Sequence, residues 1–270
     1  MFIAAIQMNS REDKEKNVQK AEKLIDEAAS KGVKVVALPE MFNFLGPDKE
    51  FLSQAKNIPG PTIERMSNKA TKHKLYILCG SILEKSKELD KAFNTSVLID
   101  PRGEIISRYR KIHLFNLEIK GGPLYRESTF VQPGREIVTI DTKRTNFGLS
   151  ICYDLRFPEL YRKLTFNGAR VIFIPAAFTL HTGKDHWEPL IRARAIENQA
   201  YIVAPAQVGS HLPGKQCYGK SMIVDPWGII MSKASDREMV IYAEIDFPYQ
   251  DEIREKLPSL LNRRKDIFSY

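Results

Sequence analysis

Short apolar runs rich in Val, Ile and Phe alternate with amphipathic helical patterns along the whole chain. The first run, 2–8, precedes a predicted helix over 12–30, with Gly32 just past its end, and a short buried strand over 33–38 follows. Strands that alternate with helices in this way are typical of α/β folds, in which helices cover the faces of a sheet. The sequence therefore predicts an α/β fold built as a single domain over residues 1–270.

The same patterns predict further elements. Strands are predicted over residues 75–83, 95–99, 104–109, 137–141, 147–152, 171–174, 201–204, 221–224, 229–232 and 239–245. Helices are predicted over residues 62–73, 158–166, 186–199 and 249–257. Residues 113–134 show little periodicity, and we predict a long loop there, which is usually functional or disordered at this length.

Two strand–turn–strand units resemble each other at one constant offset. Asp-Pro-Arg-Gly at 100–103 matches Asp-Pro-Trp-Gly at 225–228, and Tyr76 and Tyr201 share the offset. A duplication would predict two packed sheets with helices outside them. The alternative is a chance match, because Asp-Pro-x-Gly is a common turn.

Composition excludes several classes of protein. Lys plus Arg (41) minus Asp plus Glu (33) gives a net charge of +8, with 43% hydrophobic residues. These basic residues are interspersed with acids, which indicates solvated helix faces and no nucleic-acid partner. No apolar run approaches the roughly 20 residues that span a bilayer, so no membrane partner is expected. The chain begins with MFIAAIQMNS, which does not resemble a secretory signal. Three cysteines fit a reducing, cytoplasmic location.

Cys152 is the first candidate for chemistry. An apolar strand is predicted to end at this cysteine, and Pro158 begins the next helix. Such an elbow directs backbone N–H groups at the side chain, so we expect a lowered thiol pKa and a good nucleophile. The alternative is a buried cysteine that packs as a small hydrophobe.

Other ionisable residues are weaker candidates by themselves. Glu40 follows Pro39 at the end of a buried strand, Lys111 lies in a basic run, and Glu127 lies in the long loop. Each has a simpler interpretation as a solvated surface charge. His181 and His186 are five residues apart and share no helical face, so no metal is predicted, and no cofactor motif occurs.

An ordered set of short motifs resembles the nitrilase superfamily of carbon–nitrogen hydrolases. The motifs are LPE (38–40), YRKIHLF (109–115), GGPLYRES (121–128), ICYDLRFPEL (151–160), IPAAFT (174–179), HWEPLIRARAIEN (186–198), AQVG (206–209), YGKSMIVDPWG (218–228) and RRKDIF (263–268). The resemblance implies an α-β-β-α sandwich forming one carbon–nitrogen hydrolase domain. It also implies a homodimer or higher homo-oligomer, and no metal or cofactor.

The resemblance further implies a catalytic triad of Glu40, Lys111 and Cys152, with Glu127 as an additional glutamate. In such a triad the cysteine attacks a small-molecule amide, with Glu40 as the base, to form a thioester and release ammonia. Lys111 and the backbone N–H of Tyr153 would stabilise the oxyanion. Glu127 would position either the substrate or the lysine.

Within the superfamily, the chain resembles the branch of deaminated glutathione amidase and omega-amidase. The pieces CYGKSMIVDPWG and RARAIENQAYIVAPAQVG look closer to the deaminated glutathione amidases. We expect Arg156 to meet a substrate carboxylate, or else to form a structural ion pair. Phe178, Thr179 and Phe44 are substrate-pocket candidates by position.

Two departures from the family pattern, Asn116 and Lys220, weaken the substrate assignment without touching the triad. The alternatives are an omega-amidase that acts on 2-oxoglutaramate, an N-carbamoyl amino acid hydrolase, a nitrilase, and a non-catalytic binding protein.

Overall fold

The computed structural model describes residues 1–88, 90–118, 124–143 and 145–268. Its strands are β1 Phe2–Gln7, β2 Val35–Ala37, β3 Tyr76–Leu78, β4 Ile82–Lys85, β5 Ala92–Ile99, β6 Ile105–Arg110, β7 Asn116–Glu118, β8 Leu124–Arg126, β9 Thr139–Asp141, β10 Asn146–Leu149, β11 Val171–Phe173, β12 Tyr201–Ala204, β13 Val208–Leu212, β14 Lys215–Tyr218, β15 Met222–Val224, β16 Ile230–Lys233 and β17 Met239–Glu244. Its α-helices are α1 Lys14–Ser30, α2 Phe51–Gln54, α3 Pro61–His73, α4 Pro158–Phe166, α5 Leu180–Asn198 and α6 Phe247–Lys256. Short 3₁₀ helices cover Asp48–Glu50, Glu127–Thr129 and Cys152–Arg156.

Two sheets form the centre of the molecule. One has the order β17-β1-β2-β3-β5-β4, with β6 also paired to β5, and the other has the order β16-β15-β12-β11-β10-β9. Buried side chains of both sheets, such as Val35 and Phe173, belong to one hydrophobic core. Helices α1 and α3 pack on the outer face of the first sheet, and α4 and α5 pack on the second. The predicted α-β-β-α sandwich is confirmed.

Helix α1 shows how the local sequence builds one of these layers. The carboxylate of Asp13 accepts a hydrogen bond from the N–H of Lys16 and caps the helix start. The helix buries Asn17, Val18, Ala21, Ile25 and Ala28. Gly32, with φ of 82°, then reverses the chain towards β2. The helical period of the apolar side chains therefore fixes which face of α1 covers the sheet.

The two halves of the chain repeat the same strand register. β1, β2 and β3 are parallel neighbours, as are β10, β11 and β12, and each trio is followed by an antiparallel pair, β5–β6 or β15–β16. Ile77 pairs with Ile99 in the first half, and Ile202 pairs with Val224 at the same offset in the second. The outer pairings, β5–β6 and β15–β16, have a register shift at equivalent positions. This shared register supports duplication over a chance match of turn motifs.

Four sequence predictions differ from the structure. The strand predicted over 75–83 is two strands, because at Gly80 the chain passes so close to Pro39 that a Cβ atom would lie 1.8 Å from its carbonyl oxygen. The strand predicted over 147–152 ends at Leu149, and the helix predicted from His186 begins at Leu180. The loop predicted over 113–134 contains the hairpin of β7 and β8.

Neither the hairpin of β13 and β14 nor the short helix α2 was predicted, because these segments show no clear strand or helix periodicity of apolar residues. In the part of the chain that the structure describes, no helix has the length and apolar character needed to cross a membrane.

The two repeated turns allow the same stability test in both halves of the chain. The Asp225 carboxylate accepts the N–H groups of Trp227 and Ile229 at 2.9 and 2.8 Å, and Asp100 makes the equivalent pair of bonds. Asp225→Ala and Asp100→Ala should each lower the free energy of unfolding by about 1–3 kcal/mol. Asp225→Asn, which keeps the accepting oxygen, should lose less in denaturant titrations. Equal stability of the alanine and asparagine variants would contradict this role of the turn.

Candidate active site

Four loop segments bring the predicted catalytic residues together. Glu40 follows β2, Lys111 follows β6, Cys152 follows β10, and Glu127 begins the 3₁₀ helix after β8. All four line one cavity of about 130 Å³. β2 and β10 belong to different sheets, and both segments lie beyond the carboxyl ends of parallel strands, where α/β proteins usually place their ligand sites.

Lys111 lies between two carboxylates. Its Nζ is 2.9 Å from Glu40 Oε1 and 2.9 Å from Glu127 Oε2, and its side chain is 2% exposed. Burial by itself lowers the pKa of this ammonium group, but the charges of Glu127 and Glu40 outweigh burial and hold the pKa of Lys111 well above its ordinary value. The lysine is therefore a permanent cation in a buried site.

Glu40 is held by further donors. Asn94 Nδ2 donates to Oε1 of Glu40 at 2.9 Å, and the backbone N–H of Ala177 donates to Oε2 at 2.8 Å. Ala177 lies beyond β11 of the second sheet, so Glu40 is tied to both sheets. These bonds fix the carboxylate orientation at a site that is 4% exposed.

Cys152 stands at a strained turn. Its φ of 47° lies in the left-handed region, and its backbone N–H donates to the carbonyl of Pro175 at 3.0 Å. Burial and then the charge of Glu40 raise the pKa of the Cys152 thiol well above its ordinary value, although Lys111 opposes them. The predicted lowering of this pKa is wrong. Cys152 rests as a thiol beside a carboxylate that can take its proton.

Asp154 joins the cysteine turn to the lysine segment. This fully buried carboxylate accepts from Ile151 N at 2.8 Å and from Tyr109 Oη at 2.6 Å. It also accepts from the backbone N–H of His113 at 3.0 Å and lies 2.7 Å from His113 Nδ1. Tyr109 and His113 flank Lys111 by two residues on each side, so Asp154 fixes the cysteine and the lysine relative to each other.

A smaller cleft adjoins the main cavity at Cys152. Arg156, Phe178 and Thr179 line it. The Arg156 guanidinium carbon lies 5.1 Å from the centre of the Phe178 ring and 5.8 Å from that of Tyr153. Among the described residues, no carboxylate lies within ion-pairing distance of Arg156. The structural ion pair considered for this arginine is therefore absent from the described part of the chain.

Phe44 does not line the main cavity. It is 1% exposed and packs edge-on against Phe51, with ring centres 5.8 Å apart. Met41, Leu45 and Phe51 form the apolar wall in its place. Phe44 belongs to the same apolar cluster as these wall residues but does not line the cavity, so its prediction as a pocket residue is wrong.

The two departures from the family pattern are both accommodated. Asn116 Oδ1 accepts the N–H of Ser128 at 3.2 Å across the hairpin, and Lys220 pairs with Asp236 at 2.7 Å. Residues 121–123 of the GGPLYRES motif lie outside the described residues. Across the ranges that are described, no group of three His, Cys, Asp or Glu residues is arranged to hold a metal ion.

Comparison with known proteins decides the family. The model of the carbon-nitrogen hydrolase family matches residues 2–255. The chain belongs to the carbon-nitrogen hydrolase family. This membership identifies it as an amide-hydrolysing enzyme, rather than the non-catalytic binding protein considered as an alternative.

Individual relatives of this carbon-nitrogen hydrolase agree with that result. It is 44% identical over 265 residues to deaminated glutathione amidase of Synechocystis sp. (strain PCC 6803 / GT-S), covering 97% of each chain. It is 36% identical over 267 residues to the Homo sapiens omega-amidase NIT2, covering 99% of this chain and 96% of that one. The resemblance to the amidase branch of the nitrilase superfamily is thereby confirmed.

Solved structures share the fold of this hydrolase. The crystal structure of the C. elegans NitFhit protein superposes with a TM-score of 0.94 at 43% identity, covering 99% of this chain and 66% of that chain. Saccharomyces cerevisiae Nit3, described as a member of branch 10 of the nitrilase superfamily, gives 0.89 at 35% identity, covering 98% and 96%. The chain thus spans about two thirds of NitFhit and nearly all of Nit3.

The electrostatics around Cys152 predict the effect of Glu40→Gln. Because the Glu40 charge raises the thiol pKa and Lys111 lowers it, the variant should ionise Cys152 at lower pH than wild type does. Alkylation of Cys152 by iodoacetamide, followed by peptide mass spectrometry across pH, measures this shift. The exposed Glu64→Gln is the control and should leave the profile unchanged. A Glu40→Gln profile shifted to higher pH would contradict the conclusion that the Glu40 charge raises the thiol pKa.

Proposed function

We propose that this hydrolase cleaves a small carboxylate-bearing amide through a Cys152 thioester, with deaminated glutathione as the leading substrate. The observation that carries the proposal is Arg156 in the cleft beside Cys152, where its guanidinium has no carboxylate partner among the described residues and lies 3.3 Å from His186 Nδ1. A half-buried guanidinium next to a nucleophile suits a substrate carboxylate, which it can bind through two parallel hydrogen bonds.

The first half of the proposed reaction forms the thioester. Glu40 takes the proton of the Cys152 thiol as Sγ attacks the carbonyl carbon of the amide. Negative charge then develops on the carbonyl oxygen. Lys111 Nζ and the backbone N–H of Tyr153 would stabilise it, since the first N–H groups of a helical turn have no partner within the turn. Loss of one such donor typically costs roughly 100- to 1,000-fold in rate.

The second half releases the acid. Glu40 returns its proton to the amide nitrogen, the C–N bond breaks, and the amine leaves. Glu40 then removes a proton from water as its oxygen attacks the thioester carbon. The C–S bond breaks, the acid is released, and Glu40 passes the proton to Sγ, which restores the thiol. Glu127 serves this cycle by holding Lys111, because its carboxylate bonds to Nζ and to the backbone N–H of Phe115 at 2.6 Å.

The leaving group depends on the substrate. Glutathione is a tripeptide, so hydrolysis of its deaminated form at the amide of the 2-oxo acid would release a dipeptide, not ammonia. Ammonia release, as expected from the sequence, applies to primary amides such as 2-oxoglutaramate. A cavity of about 130 Å³ is small against the roughly 300–1,000 Å³ of sites for drug-sized ligands, which favours a short acyl group and keeps omega-amidase activity as the second candidate.

A substrate panel tests this proposal. It contains deaminated glutathione, 2-oxoglutaramate, an N-carbamoyl amino acid and a simple nitrile, and it measures the released acid as well as the amine. We expect turnover to be highest on one of the two 2-oxo amides and abolished by Cys152→Ala. Turnover that survives Cys152→Ala would overturn the assigned nucleophile. Preference for the nitrile would overturn the assigned substrate class.

Arg156→Gln tests the carboxylate contact. Removal of a charged, two-pronged hydrogen bond should raise KM for the carboxylate-bearing amide about 10- to 100-fold, with a smaller effect on a neutral amide of equal length. Lys184→Gln is the matched control, because it removes one exposed positive charge from the nearby helix α5 without touching either cleft. An equal rise in KM for the charged and the neutral amide would contradict the contact.

We also propose a homo-oligomer that works in the cytoplasm. Exposed apolar side chains of Ile196, Trp227 and Ile229 support self-association, and three cysteines without disulfides suit a reducing compartment. Light scattering coupled to size-exclusion chromatography should give at least twice the 30.9 kDa chain mass. A mass of one chain would contradict the oligomer.

A further inference from the structure

Asn94 contacts three of the four residues assigned to the site. It lies within β5 and is 2% exposed. Its Nδ2 donates to Glu40 Oε1 at 2.9 Å and to Glu127 Oε1 at 3.1 Å. Its backbone carbonyl accepts the N–H of Lys111 at 2.9 Å. No other residue described here is bonded to both carboxylates except the lysine itself.

The orientation of the Asn94 amide follows from chemistry. Its NH₂ group has two protons, and each can serve one carboxylate. The reversed amide would turn its oxygen towards two anions, which is repulsive. With the NH₂ group so placed, Asn94 Oδ1 is buried and has no hydrogen-bond partner among the described residues. A leucine of similar size would avoid that unpaired oxygen, so the side chain is suited to donating rather than to filling space.

The bonds also distinguish the two oxygens of Glu40. Oε1 accepts from both Lys111 and Asn94, which occupies its two lone pairs. Oε2 accepts only from Ala177 N among the described donors, which leaves one lone pair for a proton. The oxygen that can act as a base is therefore Oε2.

We propose that Asn94 is a positioning residue that holds the Glu40 and Glu127 carboxylates in place around Lys111 and reserves Oε2 of Glu40 for the proton of Cys152. The inference rests on the proposed function, because it takes Glu40 as the base. Two carboxylates that share one lysine repel each other. Donation of one N–H of Asn94 to each carboxylate offsets this repulsion and fixes both orientations.

Other charged or titratable groups also face Glu40. They are Lys111 and Glu127 around Oε1, together with Cys152 and Cys217, whose thiols interact electrostatically with the Glu40 carboxylate. The lysine favours ionisation of Glu40, and the other carboxylate opposes it. Neither thiol supplies positive charge, and apart from the Cys152 thiol the amide of Asn94 is the only neutral side-chain donor to this carboxylate among the described residues.

The experiment compares Asn94→Leu and Asn94→Asp with wild type. The pH profile of Cys152 alkylation by iodoacetamide is the first readout, because it needs no substrate. Loss of the donors leaves the Glu40 charge less compensated beside the thiol, so the pH at which Cys152 is alkylated should rise by about one unit. Asn94→Asp, which adds a third carboxylate, should move it further in the same direction. The acid limb of kcat/KM for the best amide of the panel should shift likewise, with less change in KM.

Thr95→Val is the matched control. It removes a buried donor on the adjacent residue, whose hydroxyl bonds to Glu84 at 2.7 Å outside the site. This variant should lower thermal stability without moving either pH profile. Purely structural damage in the Asn94 variants would lower the amplitude of a profile and leave its midpoint in place.

The outcomes separate this inference from the proposed function. Wild-type midpoints in both Asn94 variants would overturn the role of Asn94, even if turnover fell. If the protein hydrolyses no compound of the panel while the Asn94 variants still shift the alkylation profile, that result would support the role of Asn94 and overturn the proposed substrate. If Asn94→Leu does not fold, Asn94→Asp decides, because its side chain matches asparagine in size. An unmoved midpoint in that variant overturns the inference.

Discussion

The buried ammonium of Lys111 is the interaction on which the site depends. An unpaired lysine at 2% exposure would lose its proton, since burial disfavours the charged form. Glu40 and Glu127 keep it charged, and in return it holds two carboxylates that would otherwise repel each other. Removal of the lysine would leave two buried carboxylates without a counter-charge, so the cluster depends on this one cation. Positioning groups such as Asn94 and Asp154 surround it for this reason.

The sandwich explains why residues so far apart in sequence meet. Glu40 and Lys111 follow strands of the first sheet, and Cys152 follows a strand of the second. The bonds that cross between the sheets are short and buried, such as Ala177 N to Glu40 and Tyr109 Oη to Asp154. The distance between base, cation and nucleophile is thus set by how the two sheets pack.

Much of this arrangement could be predicted from the sequence. Apolar periodicity located most strands and helices, and the repeated Asp-Pro-x-Gly turns pointed to two similar sheets. Glu40, Lys111 and Cys152 could be assigned as a triad only from the ordered set of motifs that contain them. Each residue taken alone has a simple structural alternative. The turn at Gly80 was missed because its cause is a close approach to Pro39, which is distant in sequence.

Other features depend on three-dimensional contacts that no local pattern encodes. Asn94 lies in an ordinary strand sequence, and only its two carboxylate neighbours reveal its use. The raised pKa of Cys152 comes first from burial of the thiol and then from the charge of Glu40, neither of which the elbow argument included. Phe44 is aromatic and close in sequence to Glu40, yet its side chain packs in the apolar cluster of the wall residues and does not line the cavity.

The repeated register has a consequence for how the chemistry is divided. At the position where the first half has Glu40, after Pro39, the second half has Ala176, after Pro175. The backbone next to that alanine, at Ala177, donates to Glu40. The first copy of the motif supplies the carboxylate of Glu40, and the second copy contributes only a backbone N–H that donates to it. The two halves have become unlike partners, and neither contains a whole reaction centre.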